Sequence, residues 1–406
     1  MKILQINAVG QSSSTGRTCK EFADYINKYS KHSCYTAFAQ GTVDEYGYQI
    51  GNRFSWKTHG LLSRITGCQA HFSARDTKKI IRYMQNMEIN IVIFRNVHGN
   101  YLHFPLIMKY INRNQIPTIL VLDDCWYFTG KCCHYTTDQC YKWISGCHHC
   151  SRIKKDNKSW FIDATKYLWK EKKELYENNK SLAVVGVSKW IANEAKKSIL
   201  SSARRIETIY NWIDFKKFYP KNIDIANKKE VAEFIILGVA SGWNEAKGIQ
   251  RFIQLANMLE KDEKIILIGK MPNTIKLPDN IISIGKTESI KELVKYYNMA
   301  DVFVNMSLEE TFGKVAAEAL ACGTPIVCFN TTANPELCGN GCGFTCDKED
   351  LAQVRVALTT IKEKGKEFYS RKCVEFAHEN FDKETNIHRW LKLMDELIEE
   401  TKGKEL

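Results

Sequence analysis

Glutamates 310 and 318, eight residues apart in ETFGKVAAEALACGTP (310–325), are the side chains in this sequence best placed to do chemistry. An ionised carboxylate only accepts hydrogen bonds, which suits the hydroxyls of a hexose for one of them and a ribose diol for the other. The run ADVFVNMS (300–307) upstream and PIVCF (325–329) downstream read as buried strands, so Thr311 to Lys314 should form a strand-to-helix turn. The amides of Phe312, Gly313 and Lys314 would then lie near a helix N-terminus, where unpaired N–H groups and the helix dipole favour a phosphate. Two glutamates at this spacing most often mark a solvated helix face. Here Glu318 sits among small apolar residues, Gly323 reads as a helix stop and Pro325 opens a strand, which puts the pair at the carboxyl edge of an α/β sheet.

Other candidates follow strand-like runs. Gly16 and Arg17 close a glycine and serine loop after KILQINAV, where backbone can approach a phosphate or acceptor closely; GQSSSTG is not the dinucleotide fingerprint, and Ser14 or Thr15 could equally be a helix cap. His98 lies past INIVIF and can hydrogen-bond a sugar hydroxyl or position an acceptor. Asp123 and Asp124 follow TILVL; either could orient or deprotonate an incoming hydroxyl, but neighbours on an extended chain point to opposite sides, so one alone should face a ligand.

The chain has 15 cysteines, five of them (132, 133, 140, 147 and 150) within nineteen residues that end in CHHC. Cys132, Cys140, Cys147 and Cys150 could hold a structural zinc, with Cys133 or His134 spare; free thiols are the equal alternative, and a catalytic metal is the weaker one. With no hydrophobic leader at the N-terminus, a reducing compartment and no disulfide framework are expected.

At 406 residues, 44% hydrophobic and 26% charged, the sequence has the composition of a globular protein with room for two cores. No apolar run is long enough to cross a bilayer. Residues 1–205 carry 31 Lys and Arg against 15 Asp and Glu, a formal +16, which leaves the remainder at −4 within a whole-chain +12. The basic half therefore points to an anionic partner: nucleic acid, a phospholipid surface or a pyrophosphate-linked substrate. Between Lys154 and Tyr176, Trp160, Phe161, Ala164, Leu168 and Leu175 recur at helical spacing beside lysines, a pattern for a membrane-surface helix or for one packed on its own domain.

Strand-like runs at 2–8, 90–94 and 118–122 alternate with helical stretches near 16–30, 75–87 and 102–114, and the rhythm restarts with strands near 234–240, 264–268, 281–284, 301–305 and 325–329. The expected plan is a first doubly wound domain over 1–205 with a Cys-rich insertion at 132–150, a linker at 206–232, a second over 233–385, and a terminal helix at 386–406.

The pattern Glu310, Phe312, Gly313, Glu318, Ala321, Cys322, Gly323, Pro325 resembles the signature of the retaining glycosyltransferases of family 4. MKILQINAVGQSSSTGR (1–17), NVHGNYL (96–102), DDCWYFTGKC (123–132), VSKWIANEAKKS (187–198), IYNWIDFKKFYP (209–220) and GVASGWNEAKGI (238–249) are similar to a bacterial subgroup that builds capsule, exopolysaccharide and O-antigen. The resemblance implies the GT-B fold, two Rossmann-like domains facing a central cleft, the second holding a UDP- or GDP-sugar and the first an anionic, lipid-linked saccharide. It implies that Lys247 stabilises the leaving diphosphate, that Glu310 grips the sugar, that Thr311 to Lys314 and Glu318 bind the donor with Gly16 and Arg17, and that His98 and Asp124 serve the reacting groups. No catalytic metal is essential in such enzymes. The sequence departs from the subgroup at Arg95 and Asp123, where histidine is common, and at Ala246, where the family supplies an arginine nearby. The expectation is a cytoplasmic enzyme, peripheral at the inner face of the cell membrane, without a nucleic-acid partner; a nucleotide-sugar epimerase of the same fold and a nucleic-acid-binding protein are the alternatives.

Overall fold

A computed structural model describes residues 1–221, 232–339 and 341–402. The chain divides into two compact units, one made of residues 1–209 with 387–406, the other of 210–386.

In the first unit seven strands, β1 (Lys2–Val9), β2 (Ser33–Gln40), β3 (Gly47–Gln49), β4 (Ile91–Phe94), β5 (Thr118–Leu122), β6 (Leu182–Gly186) and β7 (Arg205–Thr208), form one sheet in the order β3-β2-β1-β4-β5-β6-β7, every neighbouring pair parallel. The runs IVIF, TILVL and LAVVG are buried along their whole length, as strands covered on both faces by crossover helices must be. The second unit repeats the plan with β8 (Phe234–Gly242), β9 (Glu263–Lys270), β10 (Ile281–Ile284), β11 (Val302–Asn305), β12 (Ile326–Phe329) and β13 (Gly343–Cys346) in the order β10-β9-β8-β11-β12-β13, again all parallel. Strand order reverses between β1 and β4 in one sheet and between β8 and β11 in the other, and ligands bind at the carboxyl ends beside such reversals.

Three expectations need correction. Residues 206–208, assigned to a linker, complete β7, where Ile206 and Thr208 supply β-branched side chains; the linker's residues 222–231 lie outside those described. The amphipathic stretch 154–176 is not one helix. It becomes helical only at Thr165–Glu177, which buries Leu168 and Leu175 in its own unit, while Trp160 and Phe161 stay exposed in the preceding loop. The terminal helix expected at 386–406 begins earlier, as Lys383–Lys402, with 403–406 outside the described residues; it follows a separate helix, Lys366–Phe381, across Asp382, whose extended backbone (ψ 131°) lets its carboxylate cap Thr385 N at 2.8 Å. In the first unit Trp390 meets Phe22 edge-on at 5.8 Å, and Arg205 pairs with Glu396 at 2.6 Å.

Candidate active site

In the second unit the site grows from the loops after β8 and β11, the strands that flank the reversal. Gly248 has φ +84°, and a Cβ there would stand 2.7 Å from the carbonyl oxygen of Met306, so only glycine lets these loops approach so closely. Leu308 N donates to Ala246 O at 3.1 Å and Lys247 N to Asn244 Oδ1 at 2.9 Å. Thus held, Lys247 Nζ donates to Glu310 Oε1 at 2.5 Å, a pair linking the two loops with the ammonium still part-exposed.

Glu310 is pinned from behind by residues that sequence reasoning missed. Its amide donates to Thr332 Oγ1 at 2.9 Å, and its carbonyl accepts from Ala333 N at 3.2 Å. Fully buried Asn334 joins Asn305 Nδ2 (3.0 Å) to Ser307 O (3.0 Å), locking the loop after β12 to the loop after β11. The signal for Asn334 was the Asn-Pro dipeptide, a turn marker with no stated partner.

Helix Lys314–Ala321 starts where the turn at Thr311 to Lys314 was expected. Gly313 takes φ +85° at its N-cap and, as a glycine, supplies no side-chain cap of its own. The Phe312 side chain is core, edge-on to Phe381 at 5.3 Å, so only its backbone can serve a ligand; Thr311 and Lys314 are half-buried beside it. Glu318 is buried, and its Oε2 accepts from Tyr297 OH at 3.0 Å. That phenol, another missed residue, fixes the carboxylate.

In the first unit the candidates follow β4 and β5. His98 Nε2 lies 2.8 Å from Asp124 Oδ2, the two side chains 15% and 17% exposed. Burial opposes the charge of Asp124, but the His98 pairing and hydrogen bond outweigh it, with help from Trp126 N at 2.8 Å, and hold the carboxyl below its usual range. Asp123 turns instead to Arg95, Oδ2 to Nη1 at 3.4 Å. The sequence's departures at 95 and 123 are therefore partners. An arginine buried to 2% exposure requires a nearby carboxylate, and Asp123 supplies it.

Gly16 and Arg17 are not in a loop. Helix Ser13–Tyr29 begins before them; Gly16 is buried in its first turn against Val9, and Arg17 is exposed with Nε on Ser13 O at 3.3 Å. The N-cap is Ser12, without a side-chain cap bond, rather than Ser14 or Thr15.

Cys133 Sγ lies 3.7 Å from His98 Nε2 and accepts from Asn157 Nδ2 at 3.4 Å. His98, Asp124 and Cys133 are the one group of three metal-capable side chains, among the described residues, whose ligand atoms lie within 4.8 Å of one another. His98 Nε2 is within hydrogen-bond distance of Asp124, and the Cys133 thiol stands beside the pair. Cys132, Cys140, Cys147 and Cys150 gather more loosely around a separate small cavity. Beyond Asn157 opens a polar cavity of about 740 Å³ whose cations are Arg64, Arg152, Lys155 and Lys158. Arg152 pairs with Asp138 and Asp156, and Lys155 with Asp138, whereas Arg64 and Lys158 form no ion pair among the described residues. Among the described residues, no helix is long and apolar enough to cross a membrane.

Residues 233–361 match the family described as "Glycosyl transferases group 1". The chain is 26% identical over 186 residues to N-acetyl-alpha-D-glucosaminyl L-malate synthase of Bacillus anthracis, covering 42% of this chain and 48% of that protein. It is 24% identical over 188 residues to the capsular polysaccharide biosynthesis glycosyltransferase CapM of Staphylococcus aureus, covering 42% and 50%. The chain thus spans about half the length of the curated relatives it matches. Among solved structures, Anabaena Alr3699/HepE in complex with UDP and glucose superposes with a TM-score of 0.67 at 15% identity, over 98% of this chain and 100% of that one. The fold is GT-B, two Rossmann-like units each built on a parallel sheet.

Proposed function

We propose that the protein is a retaining glycosyltransferase of family 4 that moves a hexose from a nucleoside diphosphate sugar, UDP- or GDP-linked, to an anionic, lipid-linked saccharide in bacterial surface polysaccharide synthesis. The observation that carries this is the Lys247–Glu310 pair at the strand reversal of the second unit, beside a helix start whose N-cap is the left-handed Gly313. The match of this segment to the group 1 family and the UDP in the complex of HepE support a nucleotide sugar there.

In the reaction the bond from the sugar's C1 to the β-phosphate oxygen breaks while the acceptor oxygen bonds C1 on the same face. The acceptor's proton passes to the departing phosphate. Charge grows on that phosphate, and Lys247 with the amides of Gly313 and Lys314 meets it where a catalytic metal would otherwise be needed. Glu310 then exchanges its lysine partner for sugar hydroxyls, and Glu318, steadied by Tyr297, accepts from the ribose diol. His98 and Asp124 orient the acceptor hydroxyl; the cavity around Arg64 and Lys158 suits its anionic part. The exposed Trp160 and Phe161, close in sequence to Lys154, Lys155 and Lys158, suit a peripheral site on an anionic membrane.

The test is a thermal-shift screen with UDP-, GDP- and TDP-sugars, followed by product analysis with the stabilising donor. Stabilisation by one nucleotide, lost in Lys247→Ala, and sugar transfer only when a saccharide acceptor is added are the expected results. Conversion of the donor to an isomer with no acceptor present would replace transfer by epimerisation.

A further inference from the structure

We propose that Cys132, Cys140, Cys147 and Cys150 bind one zinc ion as a closed tetrathiolate whose double negative charge is balanced by the buried ammonium groups of Lys131 and Lys172. All four cysteines line one cavity of about 20 Å³, space for a single small occupant. Cys132 Sγ and Cys150 Sγ are 3.9 Å apart. A tetrahedron with Zn–S bonds of about 2.3 Å has edges of about 3.8 Å, so this pair already stands at ligand separation. Gly130 N donates to Cys147 Sγ at 3.2 Å, the kind of contact that steadies a thiolate.

Charge supplies the independent argument. Lys131 and Lys172 are 2% and 4% exposed, and neither forms an ion pair among the described residues. Lys131, which lines the same cavity, donates only to the carbonyls of Arg152 (3.1 Å) and Ile153 (2.7 Å). Lys172 donates to those of Trp126 (2.6 Å) and Thr129 (3.0 Å) and lies 3.4 Å over the Trp126 ring. Two ammonium ions buried without counter-charge are strongly unfavourable, whereas Zn²⁺ with four thiolates carries −2 and cancels them. Trp143 also lines the cavity, is buried, and its indole N–H has no acceptor among the described residues; a thiolate sulfur would provide one.

The full chain, expressed with zinc and kept reduced, should carry about one zinc per chain by metal analysis. Cobalt substitution should give the visible absorption of a tetrahedral thiolate site. Mercurial titration of the native protein should release the zinc, which keeps the test valid if cysteine variants fold poorly. Cys150→Ser should lose the metal and Cys328→Ser, outside the cluster, should retain it. Protein that holds no zinc under these conditions, or cobalt spectra of octahedral type, would each overturn the proposal.

Discussion

Lys247 with Glu310 in the second unit and His98 with Asp124 in the first are built alike: two parallel neighbouring strands end, and the loops that follow bring together a cation-capable side chain and a carboxylate. They differ in what holds them. The second-unit pair straddles the strand reversal and is fixed by short loops, by a glycine that permits close approach and by the Asn334 lattice. The first-unit pair sits one strand further along, and the chain after Asp124 runs through the cysteine-rich loop before helix Thr165–Glu177 begins. A compact, locally tied pair suits a part common to many donors, such as a diphosphate. A site walled by a long particular loop suits a part that varies, the acceptor.

The largest expected effect tests that division directly. Lys247→Ala or Glu310→Gln should lower kcat by about 10²–10³-fold, the usual loss when a charge-stabilising group is removed, and Lys247→Ala should also weaken nucleotide binding by calorimetry. His98→Ala should lower turnover with the acceptor while leaving nucleotide affinity unchanged. If His98→Ala abolishes nucleotide binding as well, the assignment of donor and acceptor to separate units is wrong.

Next in size is the Arg95–Asp123 pair, which concerns stability. Asp123→Asn strands a buried guanidinium and should cost about 3 kcal/mol in urea unfolding, while Arg95→Leu with Asp123→Leu together should recover most of it. Equal losses in single and double variants would show the pair to be uncoupled. A smaller loss is expected at Gly248, where alanine must adopt a left-handed backbone and meet the Met306 carbonyl, about 1–3 kcal/mol. Because that glycine sets the approach of Lys247 to Glu310, Gly248→Ala should also raise the donor Kd.

The second unit was legible because its information is local: the strand run, the Glu310 to Pro325 punctuation and the lysine–glycine step each declare a conformation within a few residues. Tyr297, Thr332 and Asn334 were not, since their role is to meet residues from other loops and nothing in their own neighbourhoods states that. In the first unit the central strands β4 and β5 were legible from continuous apolar runs, but β2, β3, β6 and β7 went unassigned, as did β13 in the second. The pairing of Arg95 with Asp123 was hidden for the same reason: read singly, each is a departure from a motif, and only the adjacency of β4 and β5 makes them one substitution. The cysteine cluster stood out through its spacing, whereas nothing in the sequence around Lys131 and Lys172 told that both are buried beside it.

The smallest effect expected is acid sensitivity at Asp124, and it sharpens the contrast because the second-unit pair is part-exposed. The folded-state pKa of Asp124 is depressed below its unfolded value of about 3.9, chiefly because His98 outweighs the penalty of burial. A depressed carboxyl contributes stability that is present above the unfolded pKa and is lost as pH falls through the folded one. The Tm difference between the native chain and Asp124→Asn should therefore hold steady near neutrality and shrink only as the solution is acidified below the ordinary carboxylate range. Should the difference persist undiminished in strong acid, Asp124 would be acting as a neutral hydrogen-bonding group, and His98 would then have to position an acceptor hydroxyl without an ionised partner.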